Sequence, residues 1–276
     1  MESGFRNMEK QTNKNEKIKS IDKALDLLEF LSLNEQETGI TEISKKLHMG
    51  LSTVHRIVST LKSRGYVIQN RNTKKYRLGI KLFELGCAVQ STERLVETTK
   101  PYLKQLSQST NETANLAILE GKEVIYLDTI KSPEMLRTEI MAGTRTPAHC
   151  TALGKVLLAS ISDGEFESLY RRNEPLSSLT SKSISSLEEL KKNLKKVKKQ
   201  GYAVDREEYK IGINCIGVPI FGRNGAIAAI SITGPASRFT IDEMEKVKGQ
   251  LMTISKEISN QLQYIYKNRK EGLTNG

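Results

Sequence analysis

The chain has 276 residues, with 43 basic and 32 acidic side chains and a formal charge of +11. Its content of 37% apolar residues is enough for a core, and 19 glycines with 6 prolines exclude a collagen-like or low-complexity chain. The longest apolar run, residues 226–230, is too short to cross a membrane, and the first twenty residues lack the apolar segment of a signal peptide. Three widely spaced cysteines give no disulfide framework. We therefore expect a soluble cytosolic protein with reduced thiols.

The basic charge is concentrated in the first third of the chain. Residues 43–83 contain ten basic side chains and no acidic one. Charges of one sign repel each other within a folded segment, and contacts with phosphate offset that cost by releasing counterions. A solvated basic face explains the charge alone equally well.

Three short helices are predicted after a disordered lead over residues 1–17. Ser20, Thr41 and Ser52 stand where they can cap these helices. The apolar face of the first helix is Ile21, Ala24, Leu25, Leu28 and Leu31, and that of the third is Val54, Ile57, Val58 and Leu61. Gly50 is predicted to take a left-handed turn before the third helix, and Gly65 to end that helix.

The third helix and the segment after it are typical of a DNA-binding module. The outer face of the helix has hydrogen-bonding side chains and no carboxylate, as in a helix that reads the major groove. Two short strands, 66–69 and 75–78, flank a basic turn and form a wing. A three-helix dimerisation domain is the alternative. The residues predicted to contact DNA are Thr41, Lys45, Ser52, Thr53, His55, Arg56, Thr60, Arg71, Lys74 and Lys75.

The rest of the chain predicts a connector and a mixed α/β module. Two amphipathic helices over residues 81–90 and 91–108 can transmit motion or form a dimer seam. Strands are predicted at 113–119, 124–130, 136–140, 202–205, 214–221 and 226–233. Helices are predicted at 156–159, 188–200 and 241–266. The segment that leads into the first of these helices starts near Cys150 or Thr151, and free backbone N–H groups there favour binding of a small anion.

The search for catalytic groups finds little. No nucleophile elbow, phosphate loop or zinc-protease motif occurs, so no enzyme, no cofactor and no metal is predicted. His149 is the one histidine outside the DNA-binding part, and a zinc site formed by His149, Cys150 and Cys215 stays open as an alternative.

The chain resembles the IclR family of bacterial transcriptional regulators over about residues 18–268. The resemblance lies in residues 20–25, in the helix-turn-helix 40–65 with 76–79, in the stretch 149–155, and in the stretch from Gly201 through Asp205 and Cys215 to Pro235. It implies an α+β fold with an N-terminal winged helix-turn-helix, a linker helix and a C-terminal GAF-like α/β effector-binding domain. The implied boundaries are a lead at 1–17, the winged helix at 18–80, the linker at 81–95, the effector domain at 96–270 and a tail at 271–276.

The resemblance also implies the ligand site and the partners. Backbone N–H groups of Ala152 and Leu153 would bind a carboxylate, and four side chains would bind further oxygens of the ligand: Asp205, Cys215, Ser231 and Thr233. Apolar residues that could set the volume of the pocket are Leu116, Ile118, Met141 and Ile213. The implied partners are pseudo-palindromic double-stranded operator DNA, a small carboxylate effector, and further copies of the chain in a homodimer or a dimer of dimers.

Together these features predict a cytoplasmic, sequence-specific transcriptional repressor controlled by a small organic acid. A transcriptional activator of the same architecture is one alternative. A ligand-free DNA-binding protein, whose C-terminal domain serves only oligomerisation, is the other.

Overall fold

The computed structural model describes residues 18–34, 36–87, 90–170 and 175–273. The chain divides into two compact units, the first ending at Gln90 and the second beginning at Ser91. The predicted lead, residues 1–17, and residues 274–276 of the predicted tail lie outside the described residues, as do residues 88–89 of the predicted linker.

The first unit has the element order of a winged helix. Its described elements are α1 (Lys19–Ser32), α2 (Ile40–Lys46), α3 (Leu51–Ser63), the antiparallel hairpin β1 (Val67–Gln69) and β2 (Tyr76–Leu78), and α4 (Lys81–Cys87). The core is formed by buried residues of all three predicted helices, of the turn before α3 and of the hairpin: Leu27, Leu31, Ile43, Met49, Val54, Val58, Val67 and Tyr76. The predicted helix-turn-helix with a wing is therefore confirmed as a fold.

The ends of these helices differ from the prediction. The N-cap residues are Ile18, Gly39 and Gly50, and none of them makes a side-chain cap bond, so Ser20, Thr41 and Ser52 lie inside their helices. The left-handed residue of the turn is His48, with φ 51°, whereas Gly50 is extended with φ −61°. Gly39 and Gly50 are extended and occupy the N-cap positions of α2 and α3, so each of these helices begins before the polar residue that could have capped it.

The buried face of α1 is also rotated relative to the prediction. Leu27 and Leu31 are buried, whereas Ile21 is 53% exposed and Leu25 is 50% exposed. Ile18 is exposed as well. The helical period was correct, but a stripe of large apolar side chains on α1 faces away from the core of the first unit.

The second unit is an antiparallel sheet with helices on both faces. Its described elements are α5 (Gln90–Thr110), β3 (Thr113–Glu120), β4 (Glu123–Ile130), β5 (Arg145–Pro147), a 3₁₀ turn (Ala148–Cys150), α6 (Ala152–Leu158), α7 (Asp163–Leu169), α8 (Leu187–Gln200), β6 (Ala203–Arg206), β7 (Ile213–Gly222), β8 (Gly225–Pro235) and α9 (Ile241–Leu273). The strand order is β5-β4-β3-β8-β7-β6. Together with the first unit, this arrangement confirms the α+β class.

The two faces of the sheet carry separate cores. Leu103 of α5 and Leu251 of α9 pack with Leu116, Ile230 and other residues of one face. On the other face, residues of α6, α7 and α8 pack against Ala117, Tyr126, Ala203 and Ala229. Since successive residues of a strand point to opposite faces, the residues between those of the first core belong to the face that α6 covers.

Two parts of this unit were predicted incorrectly. Residues 136–140 form no strand; the strand that pairs with β4 is β5, after the left-handed Gly143. The apolar helix predicted at 156–159 begins at Ala152, and α7 was not predicted. Both are short elements, whose periodicity is a weak signal.

Candidate functional site

Helix α3 presents a polar outer face because its apolar stripe is buried. Val54 and Val58 are fully buried, and Ile57 and Leu61 pack at the edge of the same core. The opposite side therefore faces solvent, and Ser52, His55, Arg56 and Thr60 are exposed there, with Thr53 half-buried. Thr60 donates its hydroxyl to Arg56 O at 3.0 Å.

Helix α2 and the wing carry the other residues predicted to contact DNA. Thr41 and Lys45 are exposed on α2. At the tip of the hairpin, Arg71, Lys74 and Lys75 are exposed. All of the predicted residues thus lie in the first unit, and nine of the ten are exposed.

The wing tip is a structured turn. Asn70 Oδ1 accepts the N–H groups of Asn72 at 2.9 Å and Thr73 at 3.2 Å, and Lys74 is left-handed with φ 58°. Lys74 N–H also donates to Asn70 O at 3.0 Å. A residue outside the hairpin extends it, because Thr38 makes a β-bridge with Tyr76.

Sequence reasoning missed a carboxylate at this tip. Glu37 lies outside the acid-free stretch in sequence, yet its carboxylate accepts both contacts of Asn70 Nδ2, at 2.8 and 3.0 Å, and the Thr73 hydroxyl at 3.0 Å. Arg77 Nε lies 3.8 Å from it. The hydrogen bond from Asn70 is the main cause that lowers the pKa of Glu37, so the group is ionised at neutral pH.

In the second unit, the face that α6 covers is polar over its central strands. Asn115 of β3 is paired with Ser231 of β8, and Cys215 of β7 is paired with Thr233 of β8. All four are at least 94% buried. Asn115 Nδ2 donates to Ser231 Oγ at 3.2 Å and to Thr233 Oγ1 at 3.1 Å, and Thr233 Oγ1 donates to Cys215 Sγ at 3.1 Å. On the other side, Thr129 of β4 donates to Asn115 Oδ1 at 3.2 Å.

Asp205 joins this face from the edge strand β6, where it is paired with Cys215. It is buried, and its Oδ1 accepts the N–H groups of Glu208 at 2.7 Å and Tyr209 at 3.3 Å. Burial raises the pKa of Asp205 to about 7; the charge of Lys155 opposes this rise and that of Glu208 adds to it. The carboxylate therefore fixes the loop after β6 and titrates near neutral pH.

A buried ion pair next to Asp205 was not predicted. Lys155 of α6 is 1% exposed, and its Nζ donates to Glu208 Oε1 at 2.5 Å and to Val204 O at 2.6 Å. This pair connects α6 to the loop that Asp205 organises. A lysine four residues into an apolar helix gives no sequence signal of its partner, which lies 53 residues away.

The first turn of α6 lies against the sheet. A Cβ atom on Gly217 of β7 would lie 3.1 Å from Ala152 C and 3.2 Å from Leu153 N, so the absence of a side chain permits this approach. Thr151 caps the helix, since its Oγ1 accepts from Gly154 N–H at 3.1 Å. Gly217 is paired with Ser231, which places Ala152 and Leu153 next to the polar strand residues.

The thiols and the histidine do not form a reactive or metal-binding group. Burial raises the pKa of Cys150 to about 12 and that of Cys215 to about 12, so neither is a thiolate at neutral pH. His149 Nε2 lies 2.9 Å from Ser177 O. Among the residues that the structure describes, no group of three His, Cys, Asp or Glu side chains can hold a metal ion.

The apolar residues proposed to set the pocket volume are mostly elsewhere. Leu116 is buried in the core on the opposite face of the sheet, and Ile118 packs against that same core. Met141 is 64% exposed, and Ile213 is half-buried. The prediction failed because the face of β3 was not assigned: Asn115, between the apolar residues, is the one on the polar face.

A groove in the second unit contains no residue predicted to bind a ligand. It has a volume of about 230 Å³ and lies between α7 and α8, with apolar residues such as Phe166 and Leu194 next to Lys191, Lys195 and Lys198.

Two family models match the chain. "Bacterial transcriptional regulator IclR C-terminal" matches residues 87–260, and "IclR helix-turn-helix domain" matches residues 20–71. The chain belongs to the IclR family. As an IclR-family member it is a DNA-binding transcriptional regulator, as the sequence predicted.

Individual relatives match this IclR-family chain over most of its length. The transcriptional regulator KdgR of Dickeya chrysanthemi is 38% identical over 248 residues, which are 90% of this chain and 81% of KdgR. The crystal structure of IclR from Thermotoga maritima is 32% identical with a TM-score of 0.73, and the match covers 90% of this chain and all of that one. KdgR is named as a transcriptional regulator and not as an enzyme.

A third structure, an IclR homologue from Microbacterium hydrocarbonoxydans complexed with 4-hydroxybenzoate, has a TM-score of 0.79. At 23% identity, over 89% of this chain and 99% of that one, it shows the fold alone. In the part of this chain that the structure describes, no helix is long and apolar enough to span a membrane.

Proposed function

We propose that this IclR-family regulator is a cytoplasmic repressor whose affinity for operator DNA is controlled by a small hydroxylated carboxylic acid. The acid binds on the face of the sheet covered by α6. The observation that carries this proposal is the buried polar face of Asn115, Cys215, Ser231, Thr233 and Asp205.

A polar face at this place is costly for folding alone. Buried amides and hydroxyls lose their hydration, and a hydrogen-bonded network regains only part of it compared with an apolar core. The neighbouring positions of the same strands are apolar and fully buried, so the sheet could have continued with aliphatic residues. A ligand with several oxygens gives these donors and acceptors a function, because each hydroxyl of the ligand can replace a hydrogen bond within the network.

The carboxylate of the ligand is assigned to the start of α6. By helix geometry, the N–H groups of Ala152 and Leu153 precede the first intrahelical bond, which runs from Lys155 N–H to Thr151 O at 2.9 Å. Both lie over Gly217, next to Ser231. The distal hydroxyls then reach Asp205, Thr233 and Cys215.

The proposal includes the domain boundaries and the assembly of the protein. The winged helix extends over residues 18–80, the linker over 81–95 and the effector domain over 96–270. Ile18, Ile21 and Leu25 leave a large apolar stripe of α1 exposed, which supports a homodimer formed through the first unit. A two-fold dimer presents two copies of α3 and therefore binds a pseudo-palindromic operator; a dimer of dimers would bind two such sites.

The test is a thermal-shift screen of the full-length protein against a broad panel of organic acids that includes gluconate, malate and 4-hydroxybenzoate. A ligand that binds only the folded state raises the melting temperature. We expect a shift with a hydroxylated acid that is lost in Ser231→Ala and in Thr233→Val. The matched control is Ser168→Ala, because Ser168 is an exposed residue of α7.

The DNA response separates the alternatives. A hit that weakens binding to an operator selected in vitro supports the repressor, and a hit that strengthens it favours an activator of the same architecture. No shift with any acid in a broad panel, together with intact DNA binding, would favour a ligand-free protein whose second unit serves only oligomerisation.

A further inference from the structure

We propose that Glu37 is a positioning residue that holds the wing tip in the conformation that presents Arg71 and Lys74 to DNA. The inference rests on the proposed DNA contact of the wing. It adds a residue from the loop between α1 and α2, which sequence reasoning did not connect with DNA.

Glu37 determines the orientation of the Asn70 side chain. Its Nδ2 lies 2.8 and 3.0 Å from the two carboxylate oxygens of Glu37. A flipped amide would bring Oδ1 against the carboxylate, where two acceptors repel each other. Glu37 therefore fixes the amide with Nδ2 towards itself, and Oδ1 faces the turn.

The orientation of Asn70 in turn fixes the backbone of the turn. Because Oδ1 faces inward, it accepts the N–H groups of Asn72 and Thr73. Glu37 also accepts the Thr73 hydroxyl at 3.0 Å, and Thr73 Oγ1 accepts Lys75 N–H at 3.3 Å. The carboxylate thus holds both the first residue of the turn and a residue near its end.

The turn contains a strained residue, Lys74. Lys74 adopts a left-handed conformation, with φ 58°, that a lysine rarely takes. The conformation is retained only if surrounding hydrogen bonds outweigh its cost. Without Glu37, Asn70 can rotate and the turn can relax, so the exposed basic groups on either side of Lys74 lose their fixed directions.

Electrostatics and positioning predict opposite effects on DNA affinity when the carboxylate of Glu37 is removed. A carboxylate near DNA repels phosphate, so its removal tightens binding if charge is all that matters. Positioning predicts that removal weakens binding. The sign of the change therefore separates the two explanations.

The experiment uses the full-length protein and an operator duplex selected in vitro from a randomised library. We expect Glu37→Ala to weaken binding by about tenfold, the effect of losing a side-chain hydrogen-bond network. Glu37→Gln keeps an acceptor oxygen for Asn70 and Thr73, so we expect it to bind within about threefold of the unchanged protein. Glu42→Ala is the control, because it removes an exposed carboxylate from α2, whereas the carboxylate contacts of the wing tip are made by Glu37.

Hydrogen exchange measures the protection of the backbone N–H groups in the turn. The positioning explanation predicts a change in this protection, whereas the purely electrostatic explanation predicts none. We expect the N–H groups of Asn72 and Thr73 to lose protection in Glu37→Ala and to retain it in Glu37→Gln. Equal affinity of the two Glu37 variants, whether tight or weak, would overturn the inference. The wing contact has its own test: if Lys74→Ala leaves both the affinity and its salt dependence unchanged, the proposed role of the wing is wrong, and the inference with it.

Discussion

The titration of Asp205 leads to a prediction about stability. Burial raises its pKa from 3.8 to about 7 in the folded protein. Between these values the folded state keeps a proton that the unfolded state has lost, so the free energy of unfolding decreases as the pH rises from about 4 to about 7. At 1.36 kcal/mol per pH unit, the full effect is about 4 kcal/mol.

The substitution Asp205→Asn removes this effect without removing the acceptor. The amide oxygen can still accept the N–H groups of Glu208 and Tyr209. We therefore expect the variant to be more stable than the unchanged protein at pH 8, and its advantage to be about 3 kcal/mol larger at pH 8 than at pH 5.

Urea titrations followed by circular dichroism at pH 5, 6.5 and 8 measure the difference at each pH. Ser231→Ala is the control, because it changes the same buried face without adding or removing a charge, so its effect on stability should be the same at every pH. A stability difference between Asp205→Asn and the unchanged protein that does not vary with pH would refute the reasoning.

Four further substitutions test other contacts. Lys155→Met leaves Glu208 buried without its cation and should destabilise the second unit by about 3–5 kcal/mol, measured by urea titration; a small effect would mean that the pair is not buried in solution. Thr151→Ala should cost about 1 kcal/mol through loss of a helix cap, whereas Ser52→Ala should leave thermal stability unchanged, since Ser52 is not a cap. Arg56→Ala should weaken operator binding by about 1–3 kcal/mol and relax one base position, and unchanged specificity in a repeated selection would remove Arg56 from the readers of sequence.

The elements with strong periodicity were predictable from the sequence. The stripe of Val54 and Val58 gave α3, and the Asn-Gly turn at Asn224 gave the hairpin of β7 and β8. The N-caps of α2 and α3 were not predictable, because Gly39 and Gly50 occupy these positions, and the local sequence does not show where the preceding chain enters each helix. Short elements such as α7 and β5 gave too few repeats to establish a period.

The candidate effector site was predictable only in part. Asp205, Cys215, Ser231 and Thr233 do converge on one face, but the residue that connects them, Asn115, is 116 positions from Ser231. Its position depends on the register between β3 and β8, and a register shift of one residue would turn it to the other face. A single sequence does not fix that register.

Glu37 and Asp205 make the same kind of contact in different surroundings. Each carboxylate organises a loop by accepting hydrogen bonds, from Asn70 and Thr73 in one case and from backbone N–H groups in the other. At Glu37 those bonds dominate and lower the pKa, whereas at Asp205 burial dominates and raises it. A rise in pH through about 7 therefore adds a buried charge next to the proposed effector site, whereas the carboxylate of the wing is already ionised at neutral pH.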